Sequence, residues 1–504
     1  MLEALGLDLI PLVLSHLDRK SLHSVVLSSR YLLEPGLNEL WRFIATFEPL
    51  IACLPDDLLD FEMNAMDRRV YSLKRPLDIS DLNRYLEGYA FRIRHINYDD
   101  FRRDDYGTLS HKALLALQIT TAHLPHGSLS PNLKRFSWDN ARNCETEAGT
   151  VAMSLFMPPT LDTWTFGMVE GDWVHQTGLH HAAHHLLGIR SLEIFCSPNP
   201  FVDKFIVSSL RTQNLQNLRL AHAPTPLLRH LCTLPKIERM DLHDQTPVSF
   251  RYPPGDTPQL PSTDNFRSLK SLRMDSREIC ALGPVIQYLP STNCVRLLKA
   301  EAYVAARCVE EQALVTVVGV HGNQAAMRML LLSNSNAQHT EDVDPEQTLD
   351  ISPLFRLDLE ACHISLSNRI SIKPQTISQM ASAWGHMHLL RLESPAYLDF
   401  IWPPVINHRD ILQLLVGMPS LRHLSLQFDA SQICSDEPVN PKESFPHGLK
   451  NWIVGQSPIS SPSCVAQFLK GTVPNLKRLR TESPGQHNES WGKVNELLGL
   501  WHPY

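Results

Sequence analysis

The chain has 504 residues, well above the roughly 100 to 200 residues of a typical domain, so we expect several domains or one elongated repeat structure. Its composition, 43% hydrophobic and 20% charged residues, is that of a globular protein with a substantial core. The formal net charge of −7 gives no electrostatic reason to expect nucleic acid or an anionic membrane as a partner, so neither is predicted.

Residues 1–45 predict three short helices. The first covers residues 8–17 and is apolar around most of its circumference. The second begins after Asp18, with Ser21 as a plausible N-cap because serine is favoured at helix starts. A break at Pro35 and Gly36 is expected before the third helix, because proline and glycine interrupt helices. Three helices of this length are too small to enclose the first one, so we expect a partner to cover one side of it.

Residues 46–91 predict a mostly helical bridge to the remainder of the chain. In residues 92–504 a pattern then repeats, in which apolar residues occupy the first, fourth and sixth positions of each unit. The units begin at Ile93, Leu133, Leu161, Ile189, Leu215, Ile237, Leu269, Leu354, Met387, Leu421, Leu449 and Leu476.

This spacing has a structural meaning. The fourth and sixth positions suit a short strand with both side chains on one face, and the stretch between units can hold a helix and two loops. Units from Leu133 to Leu269 begin 22 to 32 residues apart, close to the period of leucine-rich repeats. We therefore predict an α/β fold, a solenoid with a curved parallel sheet inside and helices outside. The alternative is an ordinary α/β domain whose strands share the pattern by chance.

The pattern is irregular in two respects. Between Val295 and Leu354 the register is ambiguous, and one or two units are expected there, with the apolar stretch "ALVTVVGV" from Ala313 as one place for them. Three polar or proline-rich stretches predict long loops, near residues 243–266, 335–350 and 429–447.

Leucines in the first 45 residues follow a spacing that ends in Leu-Trp. The spacing matches a motif that reads Leu-Pro-x-Glu-Leu, then Ile-Leu-x-x-Leu, then a further leucine about five residues on, and finally Leu-Trp. This spacing resembles an F-box, with Gly6 where the family has proline and Asp8 where it has glutamate. The resemblance implies an adaptor-binding surface made by Leu5, Leu9, Val13, Leu14, Leu17, Leu22, Leu40 and Trp41.

An F-box followed by leucine-rich repeats is similar to fungal substrate receptors of SCF-type cullin-RING ubiquitin ligases. The resemblance implies an F-box at 1–45 that docks on a Skp-family adaptor, a bridge at 46–91, and repeats at 92–504 that hold an unknown protein substrate. The alternative is a leucine-rich-repeat scaffold without a ubiquitin-ligase role, whose N-terminal helices only cap the repeats.

Polar residues flank the apolar strand positions. Because side chains alternate along a strand, these polar residues point to the opposite face, which is the concave face of the predicted solenoid. Many of them are arginines, a residue type enriched at protein interfaces. We predict substrate binding on this face, with the loops at one edge as the alternative. The predicted residues are Arg219, Arg239, Arg273, Arg356, His423 and Arg478.

The segment "HQTGLHHAAHHLL" from His175 has histidines four residues apart, a spacing that can chelate a metal on a helix. Its leucines and alanines form a complete helical stripe, which predicts that the histidines lie on the solvated face. The sequence has no HExxH motif, no phosphate-binding loop and no GxSxG elbow. We therefore predict no enzyme activity, no cofactor and no metal site, with a histidine-dependent metalloenzyme as the last alternative.

The ten cysteines lie singly, without a CxxC pair, which predicts reduced thiols in a cytoplasmic or nuclear protein. The apolar N-terminal stretch has no basic n-region and contains Glu3 and Asp8, so no signal peptide is expected. The longest apolar run, from Ala313, is shorter than the roughly 20 residues of a membrane span, so no membrane partner is predicted.

Overall fold

The computed structural model describes residues 9–63, 69–98, 107–138, 146–168, 177, 188–196, 200–209, 214–221, 223–244, 265–334, 347–393, 404–433, 448–481 and 487–500. The chain divides into two compact units, residues 1–230 and 231–504. The predicted boundaries at residues 45 and 91 lie inside the first unit, where strand pairing and side-chain packing join the N-terminal segments to the repeats.

The first unit begins with three helices, the number that the sequence predicts. They are α1 Leu9–Leu14, α2 Arg19–Ser28 and α3 Arg30–Leu40. The cap of α2 is Asp18 and not Ser21 as predicted, because the carboxylate of Asp18 accepts a hydrogen bond from the backbone N–H of Ser21 at 2.9 Å. Helix α1 ends earlier than predicted, after Leu14, and the chain turns before α2.

The predicted break at Pro35 and Gly36 is wrong, because both residues lie inside α3. The proline removes one intrahelical donor without ending the helix. A Cβ atom on Gly36 would lie 2.2 Å from Cγ2 of Val26 on α2. Glycine therefore lets α2 and α3 pack closely, and this packing offsets its low helix propensity.

The bridge at 46–91 is helical only in part, so that prediction needs correction. It contains α4 Glu48–Ile51 and α5 Asn83–Gly88, and between them an antiparallel pair, β2 Leu59–Met63 and β3 Arg69–Leu73. β3 also pairs in parallel with β5 Thr108–Leu109. The sequence "LDFEM" of β2 alternates apolar and acidic residues, which is the period of a strand and not of a helix.

A parallel sheet follows in the first unit. Its strands, in spatial and chain order, are β1 Phe43–Ile44, β4 His95–Tyr98, β6 Arg135–Trp138, β7 Thr163–Met168, β8 Ser191–Cys196 and β9 Asn217–Leu220. Their register aligns one buried apolar residue per strand: Ile44, Ile96, Phe136, Trp164, Leu192 and Leu218. Among the described residues, the helices that lie between these strands are α6 His111–Thr120, α7 Thr146–Phe156 and α8 Pro200–Ser209, and α9 Thr225–Cys232 follows β9.

The second unit has the same plan. Its parallel strands are β10 Arg239–Asp244, β11 Ser271–Ser276, β12 Leu297–Ala302, β13 Met329–Asn334, β15 Ala361–Ser365, β17 Leu389–Glu393, β18 His423–Ser425, β19 Asn451–Ile453 and β20 Arg478–Arg480. A separate parallel pair is β14 Thr348–Leu349 with β16 Arg369–Ile370. The helices are α10 Leu282–Gln287, α11 Cys308–His321, α12 Pro374–Ala383, α13 His408–Gly417, α14 Pro462–Thr472 and α15 Asn488–Leu498.

Each apolar triplet predicted from Ile93 to Leu269 and from Met387 to Leu449 coincides with a strand of the sheet in its unit. Both units are therefore mixed α/β structures in which strands and helices repeat along a parallel sheet, an arrangement compatible with the predicted repeats. The apolar side chains of the triplets are buried, and the residues between them face the other way.

The irregular region between Val295 and Leu354 contains two repeats, carried by β12 and β13. Their triplets are Val295–Leu298–Ala300, in which alanine weakens the pattern, and Met327–Leu330–Leu332, which fits the pattern in full. The stretch "ALVTVVGV" was wrongly considered for a strand, because it lies inside α11.

The triplet predicted to begin at Leu354 is wrong by five residues. Leu354 lies in the 3₁₀ turn Ser352–Arg356, and the strand that pairs with its neighbours has Leu359, Cys362 and Ile364 at the three positions. Two overlapping triplets were possible in this sequence, and strand register selects the second because Cys362 aligns with the buried row of the sheet.

The three predicted long loops fall mainly on residues outside the described part of the chain, which omits 245–264, 335–346 and 434–447. The second predicted loop also includes β14, which the sequence did not indicate. Within the described residues, no helix combines the length and apolarity that crossing a membrane requires.

Candidate functional site

The three N-terminal helices share a small core. It consists of Ile10, Leu14, Leu22 and Leu32, and each of these side chains is at most 4% exposed. Of the residues predicted to bind an adaptor, Leu14 and Leu22 thus lie inside the helical group, and Leu17 and Leu40 pack against that core. Leu5 lies outside the described residues.

Other apolar side chains of these helices face outward. Leu9 and Val13 of the predicted set are exposed, and so are further residues that the resemblance did not indicate. The exposed large apolar side chains of these helices are Leu9, Leu12, Val13, Leu27, Tyr31 and Leu33, with Leu12 at 61% and Leu27 at 72% of full exposure. We call this set the N-terminal apolar surface. In the sequence, this surface is indicated by an apolar residue at almost every position of the first helix.

Trp41 packs toward the bridge and not into the N-terminal apolar surface. Its ring stacks on Tyr89 with centroids 4.1 Å apart and meets Tyr85 edge-on at 6.3 Å. The buried hydroxyl of Tyr85 donates a hydrogen bond of 2.8 Å to the carbonyl of Leu129 in the repeats. This aromatic group therefore connects α3 to the repeats of the first unit.

Arg92 makes a second connection to α3. Its guanidinium is buried and donates to the carbonyl of Gly88 at 2.7 Å, to the carboxylate of Glu34 at 2.8 Å, and to the side chain of Asn38. A buried cation needs such partners, because leaving it unpaired costs several kcal/mol. With Trp41, this cluster fixes the three helices in one orientation on the first unit.

The face opposite the apolar row carries five of the six predicted substrate residues. Arg219 belongs to the first unit, where its guanidinium lies 4.9 Å from the ring centroid of Phe195. In the second unit, Arg239, His423 and Arg478 occupy one row of strand positions. Arg239 and His423 are six strands apart, roughly 29 Å along the sheet at about 4.8 Å per strand. The predicted residues thus line an extended face and do not converge on one point.

Arg356 is misassigned, as a consequence of the register error at Leu354. It lies at the end of a 3₁₀ turn, and its guanidinium donates to the carbonyl of Gly322 at 3.2 Å. It therefore connects neighbouring turns and is not on the strand face. The residues that the correct register places there are His363 on β15 and Arg391 on β17, aligned with Arg273 of β11.

Ion pairs cross this face of the second unit. Arg239 pairs with Asp241 at 2.8 Å, and Lys299 pairs with Glu301 at 2.7 Å. Within each pair the two residues are separated by one position on the same strand, so both side chains lie on the same face. The acidic partners offset much of the positive charge that the arginine count predicts.

Glu393 lies in the most enclosed of these groups. It accepts hydrogen bonds from Arg391 at 2.6 Å and from His363 at 3.3 Å. Burial alone would raise the pKa of Glu393, but the hydrogen bond from His363 and the charge of Arg391 outweigh it and lower the pKa. The carboxylate is therefore a fixed negative charge on the strand face at neutral pH.

His423 lies in a positive environment. Its Nδ1 is 2.8 Å from the side-chain nitrogen of Asn451 on the next strand. Burial, followed by the charges of neighbouring cationic groups such as His388 and Lys450, lowers the pKa of His423. The imidazole is therefore neutral at pH 7 and serves this face as a hydrogen-bonding group and not as a cation.

Metal binding has no support in the described residues, which contain no group of three His, Cys, Asp or Glu side chains able to hold an ion. The histidine-rich segment from His175 lies outside the part of the chain that the structure describes.

Repeating strand–helix units on a parallel sheet define the class of each unit as an α/β repeat structure. No family model matches the chain, and no curated protein matches it. Among solved structures, a chain in the crystal structure of the Rad7–Elc1 complex from yeast is similar to it, with a TM-score of 0.31 and 12% sequence identity. The likeness is weak, although it covers 79% of both chains.

Proposed function

We propose that the protein is a substrate-recognition receptor of an SCF-type cullin-RING ubiquitin ligase. In this proposal the N-terminal helices dock on a Skp-family adaptor, the repeats hold a protein substrate, and the chain itself catalyses no reaction. The observation that carries the proposal is the N-terminal apolar surface, which remains exposed although the helices already have a complete core.

The exposed side chains of the N-terminal apolar surface favour a docking function. Burying a leucine side chain is worth roughly 1.5 to 3 kcal/mol. A single exposed apolar residue such as Ile119 is ordinary, whereas six exposed large apolar side chains on three short helices are typical of a surface that a partner covers. The resemblance of residues 1–45 to an F-box supplies the kind of partner, a Skp-family adaptor. The rigid attachment through Trp41 and Arg92 supports the same function, because a receptor must hold its substrate in a fixed orientation toward the ligase.

The strand face supports the part of the proposal that concerns substrates. Arg273 and Arg478 are exposed there, and arginine is enriched in the energetically dominant positions of protein interfaces. The alternating ion pairs of the second unit favour a partner surface that carries both signs of charge, since such a surface can form matching pairs at each strand.

The test is adaptor binding by variants of the apolar surface. The double variant Leu12→Glu/Leu27→Glu should bind a Skp-family adaptor at least a hundredfold more weakly than wild type, since two interface leucines together contribute about 3 kcal/mol or more. Ile119→Glu is the matched control, because Ile119 is 75% exposed on α6, away from the N-terminal helices. Binding is measured by interferometry on purified full-length chains, with circular dichroism to verify the fold.

The outcome that contradicts the proposal is wild-type adaptor affinity in the double variant. Charged substitutions at Leu14 or Trp41 would be poor tests, because both side chains have packing partners within the first unit and their loss would disturb the fold. Variants at exposed positions separate binding from folding.

A scaffold without a ubiquitin-ligase role is the second candidate, and one observation favours it. Strand β1, which directly follows the N-terminal helices, pairs with β4 at the edge of the first sheet, as a terminal cap would. Deleting residues 1–45 would remove this strand in either case, so stability after deletion does not separate the candidates. Absence of adaptor binding by the wild-type chain would favour the scaffold.

The cysteine pattern supports a cytoplasmic or nuclear location for the receptor. Imaging of a fluorescent fusion tests this part of the proposal.

A further inference from the structure

A groove of about 680 Å³ lies within the first unit, between the end of α3 and the starts of the sheet strands. Its volume is in the range of small-ligand sites, and it is open to solvent along one side. Six of its lining residues are basic: Arg42, Arg92, Arg94, Lys134, Arg135 and Arg190. Only two carboxylates, Glu39 and Asp162, are among the lining residues. This local excess of positive charge contrasts with the net charge of −7 of the whole chain.

Strand register explains why these basic residues come together. His95, Arg135, Thr163, Ser191 and Asn217 align across five strands. The residues one position earlier therefore form a parallel row at the strand starts. Neighbouring members of each row lie about 4.8 Å apart, so that distant parts of the sequence contribute to one continuous lining.

Two of the six cations have carboxylate partners within the first unit. Arg92 pairs with Glu34 at 2.8 Å, and Arg42 pairs with Glu39 at 3.3 Å. The carboxylate of Glu39, which lies on α3, is therefore already paired with Arg42. The remaining four cations lie at the strand starts.

Among the residues that the structure describes, these four cations have little compensation. Arg94 donates to the carbonyl of Asn132 at 3.2 Å, and Lys134 donates to the carbonyl of Thr160 at 3.3 Å. Carbonyl groups orient the side chains but leave their charge in place. Among the lining residues, Asp162 is the carboxylate left to face them.

His95, in the same groove, responds to this field. Burial, followed by the charges of Arg135 and Arg42, lowers the pKa of His95, although Glu39 opposes the change. The imidazole is therefore neutral at pH 7 and can donate or accept a hydrogen bond. Thr163 and Ser191 add hydroxyl donors to the lining.

We infer that this groove binds a phosphate-bearing anion. Arginine and lysine side chains match the charge and the several acceptor oxygens of a phosphate monoester, and hydroxyl groups complete its hydrogen bonds. The four cations exceed what one carboxylate of the lining can balance, so a ligand with two or more negative charges is favoured. The same chemistry is present in a phosphorylated side chain of a protein and in a small free phosphate compound.

The test uses the full-length chain and two probes. Calorimetry measures binding of inorganic pyrophosphate, and fluorescence anisotropy measures binding of a random peptide pool that contains one phosphoserine. The same peptide pool after dephosphorylation is the control probe. The variant is Lys134→Ala/Arg190→Ala, and we expect it to weaken binding at least tenfold.

A matched control variant exists in the second unit. The backbone N–H groups of Lys450 and Lys477 donate to the preceding strand as those of Lys134 and Arg190 do, so Lys450→Ala/Lys477→Ala removes the same charge from equivalent repeat positions. The control variant should retain wild-type binding. Equal thermal midpoints of the two variants verify that neither unfolds the protein.

The results separate the two sources of phosphate. Binding of pyrophosphate alone indicates a small free ligand, and binding of the phosphorylated pool indicates a phosphorylated protein segment. The inference is overturned if neither probe binds or if both variants weaken binding equally. It is also overturned if pyrophosphate does not bind and the peptide pool binds equally well before and after dephosphorylation. No adaptor takes part in the measurement, so its failure is distinct from a failure of the proposed function.

Discussion

Truncation of Leu14 and of Leu12 should have opposite consequences, although both leucines lie on α1. Leu14 is 3% exposed and belongs to the core of the N-terminal helices, whereas Leu12 is 61% exposed. Leu14→Ala removes buried methyl groups and leaves a cavity between three short helices. Leu12→Ala removes atoms that already contact water.

The expected magnitudes follow from this difference in burial. A buried Leu→Ala change costs 2 to 5 kcal/mol, and the N-terminal core has few other members to compensate. A change at an exposed position is usually within about 0.5 kcal/mol. A loss of about 3 kcal/mol in local stability accelerates amide exchange by roughly a hundredfold. Hydrogen–deuterium exchange of peptides from residues 9–40 therefore distinguishes the variants.

Among correctly folded molecules, adaptor affinity should be lowered more by Leu12→Ala than by Leu14→Ala. Leu12→Ala should weaken binding by about 1 kcal/mol or more, with exchange of the helices unchanged. The reasoning is refuted if Leu12→Ala accelerates exchange as much as Leu14→Ala does, or if Leu14→Ala leaves exchange unaltered.

Two further predictions concern packing and pH. Gly36→Ala should destabilise the first unit by about 1 to 3 kcal/mol, because the new Cβ atom would overlap a side chain of α2. Gly88→Ala is the control and should cost little stability, because no atom lies within 4 Å of its new Cβ. The thermal midpoints of the two variants check both predictions. His363 and Arg391 lower the pKa of Glu393, so their stabilisation is complete above the ordinary glutamate pKa of about 4.3 and is lost as pH falls through the lowered pKa of the folded state. Glu393→Gln should therefore lower the thermal midpoint most at pH 7 and clearly less at pH 3, and an equal loss at both pH values would contradict the assignment.

The N-terminal helices illustrate the limit of a motif. Its leucines are the residues that a family keeps at fixed spacing, and here Leu14 and Leu22 belong to the core. Leu12 and Leu27 lie outside that spacing, and only their exposure in the folded helices distinguishes them. A leucine spacing thus predicts helices, while the positions available to a partner depend on how the three helices pack.

The groove in the first unit was also invisible in the sequence. Arg94, Lys134 and Arg190 are separated by tens of residues, and each alone is an ordinary surface cation. Parallel register brings their strands together, and the end of α3 closes one side. No local pattern contains that information, because it depends on which residues of successive strands become neighbours.

Local sequence specifies the repeating strands, because a strand buried on one face requires apolar side chains at fixed short intervals, and such intervals can be read without knowing the fold. Tertiary structure decided the register at Leu359, where two local patterns overlap and only pairing with neighbouring strands selects one. It also decided the burial of Glu311 on α11, whose carboxylate accepts the backbone N–H groups of Ser367 and Asn368 at 2.7 and 3.0 Å. A carboxylate on a helix is ordinarily solvated, and only a distant loop that offers these donors makes its burial favourable.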